Sequence, residues 1–254
     1  MSDELLTQSD SLVRRLTLNR PRRRNALTPD LARELAAQLD DIEENGGAEL
    51  VVLAGAGGHF CAGLDLHWLQ ALGNTPSASD LQRGLSDFQS AVLAIVRCPV
   101  PVIAVVQGTA AGFGLDLAVA CDLRIAGTGA TFTSAFARMG LVPDGGSTFT
   151  LPLLIGPGPA LRLLLAGETV DARRALSLGL VDEVVDDASV DEGVRTMTER
   201  LFTGAPASNR TIKRLVRAGE LGALEQVLAM EGAAQVQALQ GPEFRTRLER
   251  FLAR

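Results

Sequence analysis

The feature that most constrains the fold is an alternation of short apolar strands with segments of helical spacing. Apolar or alternating residues predict four strands, at 11–19, 49–54, 100–106 and 122–126. The first helix is predicted between Thr28, a capping hydroxyl followed by proline and aspartate, and Gly46. Strands that alternate with helices favour a sheet with crossover connections, so we expect an α/β protein.

The C-terminal third has a different pattern. Helical periodicity dominates from about residue 157 onward, with one short strand at 183–185. The predicted helices cover 161–165, 172–178, 190–202, 207–216 and 221–239. The sequence therefore predicts a sheet with crossover connections followed by a mainly helical region.

Composition excludes several classes of partner and location. With 46% hydrophobic residues and a net charge of −6, the 254-residue chain has material for a core. The mild acidity gives no reason to expect nucleic acid or an anionic membrane. The stretch 98–106 is too short to span a bilayer, and no secretory signal is visible. We therefore expect a cytoplasmic protein.

No nucleotide or metal motif is present in the sequence. The strand at 49–54 leads into Gly55-Ala-Gly-Gly, but Phe60 stands where a dinucleotide fingerprint requires glycine. A phosphate loop ending in Gly-Lys-Ser/Thr is absent. The spacing of Cys61, Cys98 and Cys121 matches no metal knuckle, which favours reduced thiols. We expect neither a metal nor a nicotinamide cofactor.

Two glycine-containing segments are candidates for backbone donors to an anion. The first is Cys61-Ala-Gly-Leu-Asp; the second, Gly108-Thr-Ala-Ala-Gly-Phe-Gly, follows a buried strand and leads towards a helix. Free N–H groups at a helix N-terminus suit a developing oxyanion. Taken alone, the first segment favours an ordinary turn.

Together these segments resemble the crotonase superfamily, the enoyl-CoA hydratases and isomerases. The resemblance continues through Gly140-Leu-Val-Pro-Asp and Leu176-Ser-Leu-Gly-Leu-Val and covers nearly the whole chain. It implies an α/β fold with a crotonase-like ββα spiral core at 1–195 and a helical trimerisation region at 196–254. The implied assembly is a homotrimer or a dimer of trimers.

The resemblance implies an acyl-CoA thioester as substrate, with coenzyme A as part of the substrate and no separate cofactor. The thioester oxygen would be held by the backbone N–H groups of Leu64 and Phe113. The CoA-binding residues implied by position are Arg22, Arg24, Ala26, Leu27 and Ala62. The arginines would pair with phosphates, although solvated arginines before a helix are an equally ordinary pattern.

The proton-carrying residues distinguish the reactions within the superfamily. Hydratases of this kind use two glutamates, and their positions correspond here to Asp116 and Phe136. Phenylalanine cannot accept a proton, so hydration in the usual manner is not expected. We expect Phe136 to line the acyl pocket together with Trp68.

The segment Leu141-Val-Pro-Asp-Gly-Gly is similar to the base segment of enoyl-CoA isomerases, which makes Asp144 the catalytic acid. One carboxylate suffices to move a double bond. Two structural interpretations remain open for Asp144, a turn and a helix N-cap. The alternatives to isomerisation are an atypical hydratase using Asp116, with or without Asp144, and a non-catalytic acyl-CoA-binding homologue.

Two other acids are expected to be structural. Asp65 precedes a predicted helix and is expected to cap it. Asp122, at the start of a predicted strand, is expected to pair with Arg124.

Overall fold

The computed structural model describes residues 3–10, 12–72 and 76–252. Nine strands lie in these residues: β1 (Leu5–Asp10), β2 (Val13–Leu18), β3 (Leu50–Gly55), β4 (Val102–Val106), β5 (Thr109–Ala111), β6 (Leu123–Gly127), β7 (Thr131–Thr133), β8 (Thr169–Asp171) and β9 (Glu183–Val185). Eleven α-helices lie there as well: α1 (Pro29–Asn45), α2 (Leu66–Ala71), α3 (Ala78–Arg97), α4 (Phe113–Ala120), α5 (Ser147–Ile155), α6 (Pro157–Ala166), α7 (Ala172–Leu178), α8 (Val190–Phe202), α9 (Pro206–Ala218), α10 (Leu221–Gln240) and α11 (Pro242–Leu252).

Two sheets form the core. The larger has the strand order β1-β2-β3-β4-β6-β9, and only the β1–β2 pair is antiparallel. The smaller has the order β5-β7-β8 and is continued by single bridges between Cys61 and Ala110 and between Leu27 and Leu64. Each turn of the chain thus places one strand in each sheet before the helix that follows. This confirms the predicted ββα spiral.

The strands and helices follow from local sequence. In β3 and β4 nearly every residue is buried, as expected for parallel strands covered on both faces. Helix α1 begins where the Thr28 hydroxyl accepts a hydrogen bond from the N–H of Leu31, and it ends at Gly46, whose φ is +71°. The predicted first helix is confirmed, as are the five predicted C-terminal helices.

Some elements and boundaries differ from the prediction. The predicted strand at 11–19 begins at Val13, and Ser11 lies outside the described residues. Strand β5 was not predicted, because three residues form a strand only through pairing with distant chain. The expected division after residue 195 falls inside α8. The two-part division and the trimerisation role of 196–254 stay predictions.

The pairing expected for Asp122 is wrong. Its carboxylate binds Lys213 Nζ at 2.6 Å and Arg217 Nη2 at 3.0 Å, both on α9. Arg124 instead donates to the carbonyls of Leu180 and Cys121, which leaves Nη2 for Asp182 at 3.2 Å. Helix α9 is thereby attached to the larger sheet where β4 and β6 begin.

Helix α10 packs against α3 and α5 of the same chain. Its inward-facing apolar residues are Leu224, Leu228, Val236 and Leu239. No helix of the described ranges is long and apolar enough to cross a membrane. In the same residues no group of histidine, cysteine and acidic side chains is arranged to hold a metal ion, and Cys61, Cys98 and Cys121 are free and buried.

Candidate active site

The two expected oxyanion donors come together where a glycine allows close approach. Gly63 has a φ of +96°, and a Cβ there would lie 2.7 Å from the Ala111 oxygen and 3.3 Å from the Phe113 nitrogen. Leu64 follows Gly63, and Phe113 is the first residue of α4. Among the described residues neither the Leu64 nor the Phe113 N–H has a hydrogen-bond acceptor. Both remain able to bind an oxygen.

The expected CoA segment is held against this loop by a residue that the sequence analysis missed. Asn25 is buried in the left-handed conformation, with φ of 57°. Its side-chain amide donates to the carbonyls of Ala56 and His59, and its oxygen accepts from the Arg20 N–H. Asn25 therefore joins the turn after β2 to the loop after β3. Asparagine's tolerance of positive φ was the one available signal.

The predicted CoA residues separate by exposure. Arg22 and Arg24 are exposed, and neither guanidinium has an ion pair in the part of the chain that the structure describes. Ala26 and Leu27 are buried, and the Ala62 N–H donates to the Arg24 carbonyl at 2.9 Å. Exposed arginines next to a fixed backbone segment are suited to bind phosphate groups.

Aromatic rings pack around the start of α4, where the Phe113 N–H lies. Trp68 meets Phe88 edge-on at a centroid distance of 5.7 Å, and Phe88 lies 5.4 Å from Phe113. Phe136 is also buried, 3.9 Å from the position of a Cβ on Gly112. The position that corresponds to the second hydratase carboxylate is therefore apolar.

The two candidate acids are buried side by side. Asp116 lies on the first turn of α4, and its Oδ2 accepts from the N–H of Gly145 at 3.0 Å. A Cβ on Gly145 would lie 2.6 Å from Asp116 Cβ and 2.9 Å from the Phe113 ring. The segment that carries Asp144 therefore packs directly against α4. Oδ1 of each aspartate accepts no hydrogen bond from the described residues. Each acid thus has one oxygen available for chemistry.

Two polar side chains of α10 contact the segment that carries Asp144, and neither was identified from the sequence. Gln235 donates from Nε2 to Asp144 Oδ2 at 3.1 Å. Glu231 accepts from the N–H groups of Gly146 and Thr148 and from the Thr148 hydroxyl. Asp144 is therefore not the cap of α5: the side-chain acceptor at this end of the helix is Glu231, which binds the Thr148 N–H of the first turn. The sequence did contain one indication of these two residues: they are four positions apart and share the apolar face of the helix with Leu224 and Leu228.

Burial raises the pKa of all three carboxyls, and repulsion by neighbouring acids adds to the rise at Asp116 and Asp144. Burial raises the pKa of Asp144 from 3.8 to about 7, opposed by the Gln235 hydrogen bond and helped by Glu231. Burial, Glu231 and Asp144 hold the pKa of Asp116 well above its usual range, although Ser147 and the Gly145 N–H lower it. Burial also raises the pKa of Glu231, against its three donors. A carboxyl with a pKa near neutrality is suited to take and return a proton.

A comparison with protein families matches nearly the whole chain. The family model described as enoyl-CoA hydratase/isomerase matches residues 8–254. A Mycobacterium tuberculosis protein named "Probable enoyl-CoA hydratase EchA14" is 37% identical over 97% of this chain and 96% of its own length. The 1,2-epoxyphenylacetyl-CoA isomerase of Escherichia coli is 32% identical over 100% of this chain and 97% of its own.

Solved structures agree with these relatives. An enoyl-CoA hydratase from Mycobacterium avium subsp. paratuberculosis superposes with a TM-score of 0.90 at 29% identity, covering 98% of this chain and 99% of that one. The relatives include both hydratases and isomerases, so the distinction between the two reactions has to come from the residues of the site.

Proposed function

The chain belongs to the enoyl-CoA hydratase/isomerase family, and we propose that it acts as a double-bond isomerase on an acyl-CoA thioester, of the Δ3,Δ2-enoyl-CoA type. The observation that supports this proposal most is that one carboxylate oxygen of Asp144, buried beside α4, accepts no hydrogen bond from the described residues. Phe136 occupies the position where hydration would need a second carboxylate. Removal and return of one proton require one such group.

In the proposed reaction the thioester oxygen accepts from the N–H groups of Leu64 and Phe113. The Asp144 carboxylate removes a proton from C2, and the C2–H electrons form a dienolate whose charge rests on that oxygen. Asp144 then returns the proton to C4, so the double bond moves from C3–C4 to C2–C3 and no other group is consumed. Each backbone donor is expected to stabilise the enolate by about 3–4 kcal/mol.

Substrate binding is proposed to use the groups described above. Arg22 and Arg24 pair with the CoA phosphates, while the backbone near Ala26, Leu27 and Ala62 receives the rest of the cofactor moiety. Trp68 and Phe136 contact the acyl group. Coenzyme A enters as part of the substrate, and no additional cofactor is proposed.

Asp144→Asn tests the proposed function. The wild type should exchange the C2 protons of a saturated acyl-CoA for deuterium and convert 3-enoyl-CoA, and the variant should lose about 10³-fold in both. Asp30→Asn is the matched control, because Asp30 is an exposed surface acid. Equal rates in Asp144→Asn and the wild type would remove Asp144 from the mechanism.

An atypical hydratase is the second candidate, because Asp116 is also buried with one unpartnered oxygen. That function predicts hydration of crotonyl-CoA by the wild type and its loss in Asp116→Asn. A non-catalytic acyl-CoA-binding role predicts tight binding of a CoA ester without any exchange at C2. The exchange experiment therefore separates the catalytic candidates from the binding role.

A homotrimer or a dimer of trimers is proposed as the assembly. Leu153 of α5 and Ile212 and Val216 of α9 are exposed and line one pocket, and Leu215 of α9 is exposed as well. Such a patch on a soluble protein commonly marks an interface. Analytical ultracentrifugation should give the mass of three or six chains.

A further inference from the structure

Helix α10 does more than cover the base segment. Glu231 and Gln235 lie one turn apart on its buried face, and Gly232 beside them lets the helix approach α3, since a Cβ there would lie 3.2 Å from Gln89 Nε2. Both polar side chains are buried and end on the segment 142–148. We propose that Glu231 and Gln235 are positioning residues that hold the Asp144 carboxylate and the start of α5 in the geometry needed for proton transfer.

The Gln235 side chain bonds both to the Asp144 carboxylate and to the backbone two residues before it. Its Oε1 accepts from the Val142 N–H at 3.1 Å, which obliges Nε2 to face Asp144 Oδ2 at 3.1 Å. One carboxylate oxygen is thereby fixed, and Oδ1 is left free for substrate. Gln89 completes the arrangement by donating to the backbone carbonyl of Asp144.

Glu231 fixes the turn that follows the base. Gly146 adopts a φ of +83° and its N–H donates to Glu231 Oε2 at 2.7 Å, while the Thr148 hydroxyl and N–H donate to Oε1. Helix α5 has no capping side chain of its own. Without Glu231 the buried Gly146 N–H would lack its acceptor, so the turn would be held less firmly in this conformation.

The two residues act on the charge of Asp144 with opposite signs. The Gln235 hydrogen bond favours the carboxylate, whereas the Glu231 charge favours the protonated acid. The other charged groups around the segment are Asp116 from α4 and, beside Gly140, Glu243 from α11, which is paired with Arg247. No cation among the described residues is a cause of the shift in the three buried acids. Burial is the largest cause of the raised pKa of Asp144, and the pair on α10 adjusts that pKa in opposite directions.

The experiment measures kcat/KM against pH for 3-enoyl-CoA conversion, with C2 exchange as a second readout. Gln235→Met removes the donor, so the acid limb of the profile should move up by about one pH unit and kcat should fall about tenfold with KM within twofold. Glu231→Gln removes the repelling charge, so the acid limb should move down by about one unit. Gln237→Met is the control, because Gln237 is exposed on the same helix.

This inference depends on Asp144 being the proton carrier, and the variants separate the two claims. Activity retained in Asp144→Asn would overturn the proposed function itself. Loss in Asp144→Asn together with wild-type profiles in both α10 variants would overturn only the positioning role. Gln235→Asn, which keeps the amide, guards against misfolding of Gln235→Met and should give a smaller upward shift; near-ultraviolet circular dichroism monitors the fold.

Discussion

Two groups of charged side chains lie at opposite ends of α4. The paired cluster, which follows the C-terminal end, comprises Asp122, Arg124, Asp182, Lys213 and Arg217. The carboxyl cluster, at the N-terminal end, comprises Asp116, Asp144 and Glu231. In the first group every charge has a partner of opposite sign, whereas the second contains acids alone.

The difference separates stability from chemistry. A buried charge that is paired fixes how elements pack, and here it attaches α9 to the sheet. Buried like charges repel, so the fold must hold protons on some of them near neutral pH. The paired cluster should therefore matter to the free energy of unfolding, and the carboxyl cluster to turnover.

The largest change in stability is expected from Lys213→Met. Lys213 is 8% exposed, and its ammonium group bonds Asp122 and the carbonyls of Val100 and Ile95. Breaking this pair should lower the free energy of unfolding by about 3 kcal/mol, as measured by urea denaturation. Turnover per folded molecule should stay at the wild-type level. A variant that unfolds normally but loses turnover would reverse the assignment of roles.

The opposite sign is expected from Asp144→Asn. The pKa of Asp144 is 3.8 in the unfolded chain and about 7 in the folded one, so folding binds a proton between these values. Wild-type stability should therefore fall as pH rises from about 4 to about 7. Asparagine carries no charge, so thermal unfolding at pH 8 should show the variant more stable by about 2 kcal/mol, with little gain at pH 4. A gain independent of pH would argue against ionisation as the cause.

The smallest effect is expected from Arg97→Ala. Arg97 pairs with Glu225 at 2.6 Å across the surface between α3 and α10, and both side chains are more than 40% exposed. Solvent screens such a pair, so the free energy of unfolding should change by about 0.5 kcal/mol or less. A loss as large as that of Lys213→Met would mean that burial does not determine how much an ion pair contributes to the free energy of unfolding.

The parts of the site that sequence predicts are those with a local cause. Positive φ at Gly63 and the start of α4 at Phe113 depend on a few neighbouring residues, so motifs that resemble the crotonase superfamily locate the loop and the helix start that carry the proposed oxyanion donors. The proposed role of Asp144 could likewise be inferred from the resemblance of one continuous segment. The alternation of strands and helices likewise fixed the order of the main elements.

The parts that escaped prediction depend on distant contacts. Gln235 meets Asp144 across 91 residues, and its helix alone gives no register against α3. Asp122 has an arginine two residues away, yet its partners come from α9, more than ninety residues on. Strand β5 exists because Cys61 and β7 lie on either side of it. Tertiary packing decides such features, and a local pattern cannot contain them.

The position of Glu231 and Gln235 near the end of the chain also has a consequence for biosynthesis. Both aspartates and both oxyanion donors leave the ribosome well before α10 does, since synthesis runs from the N-terminus. Until α10 arrives, the Gly146 and Thr148 amides lack their acceptor and Asp144 lacks its donor. A nascent chain that ends before residue 221 thus holds the proposed reacting groups without the contacts that position them, and the site becomes complete only after α10 has been synthesised.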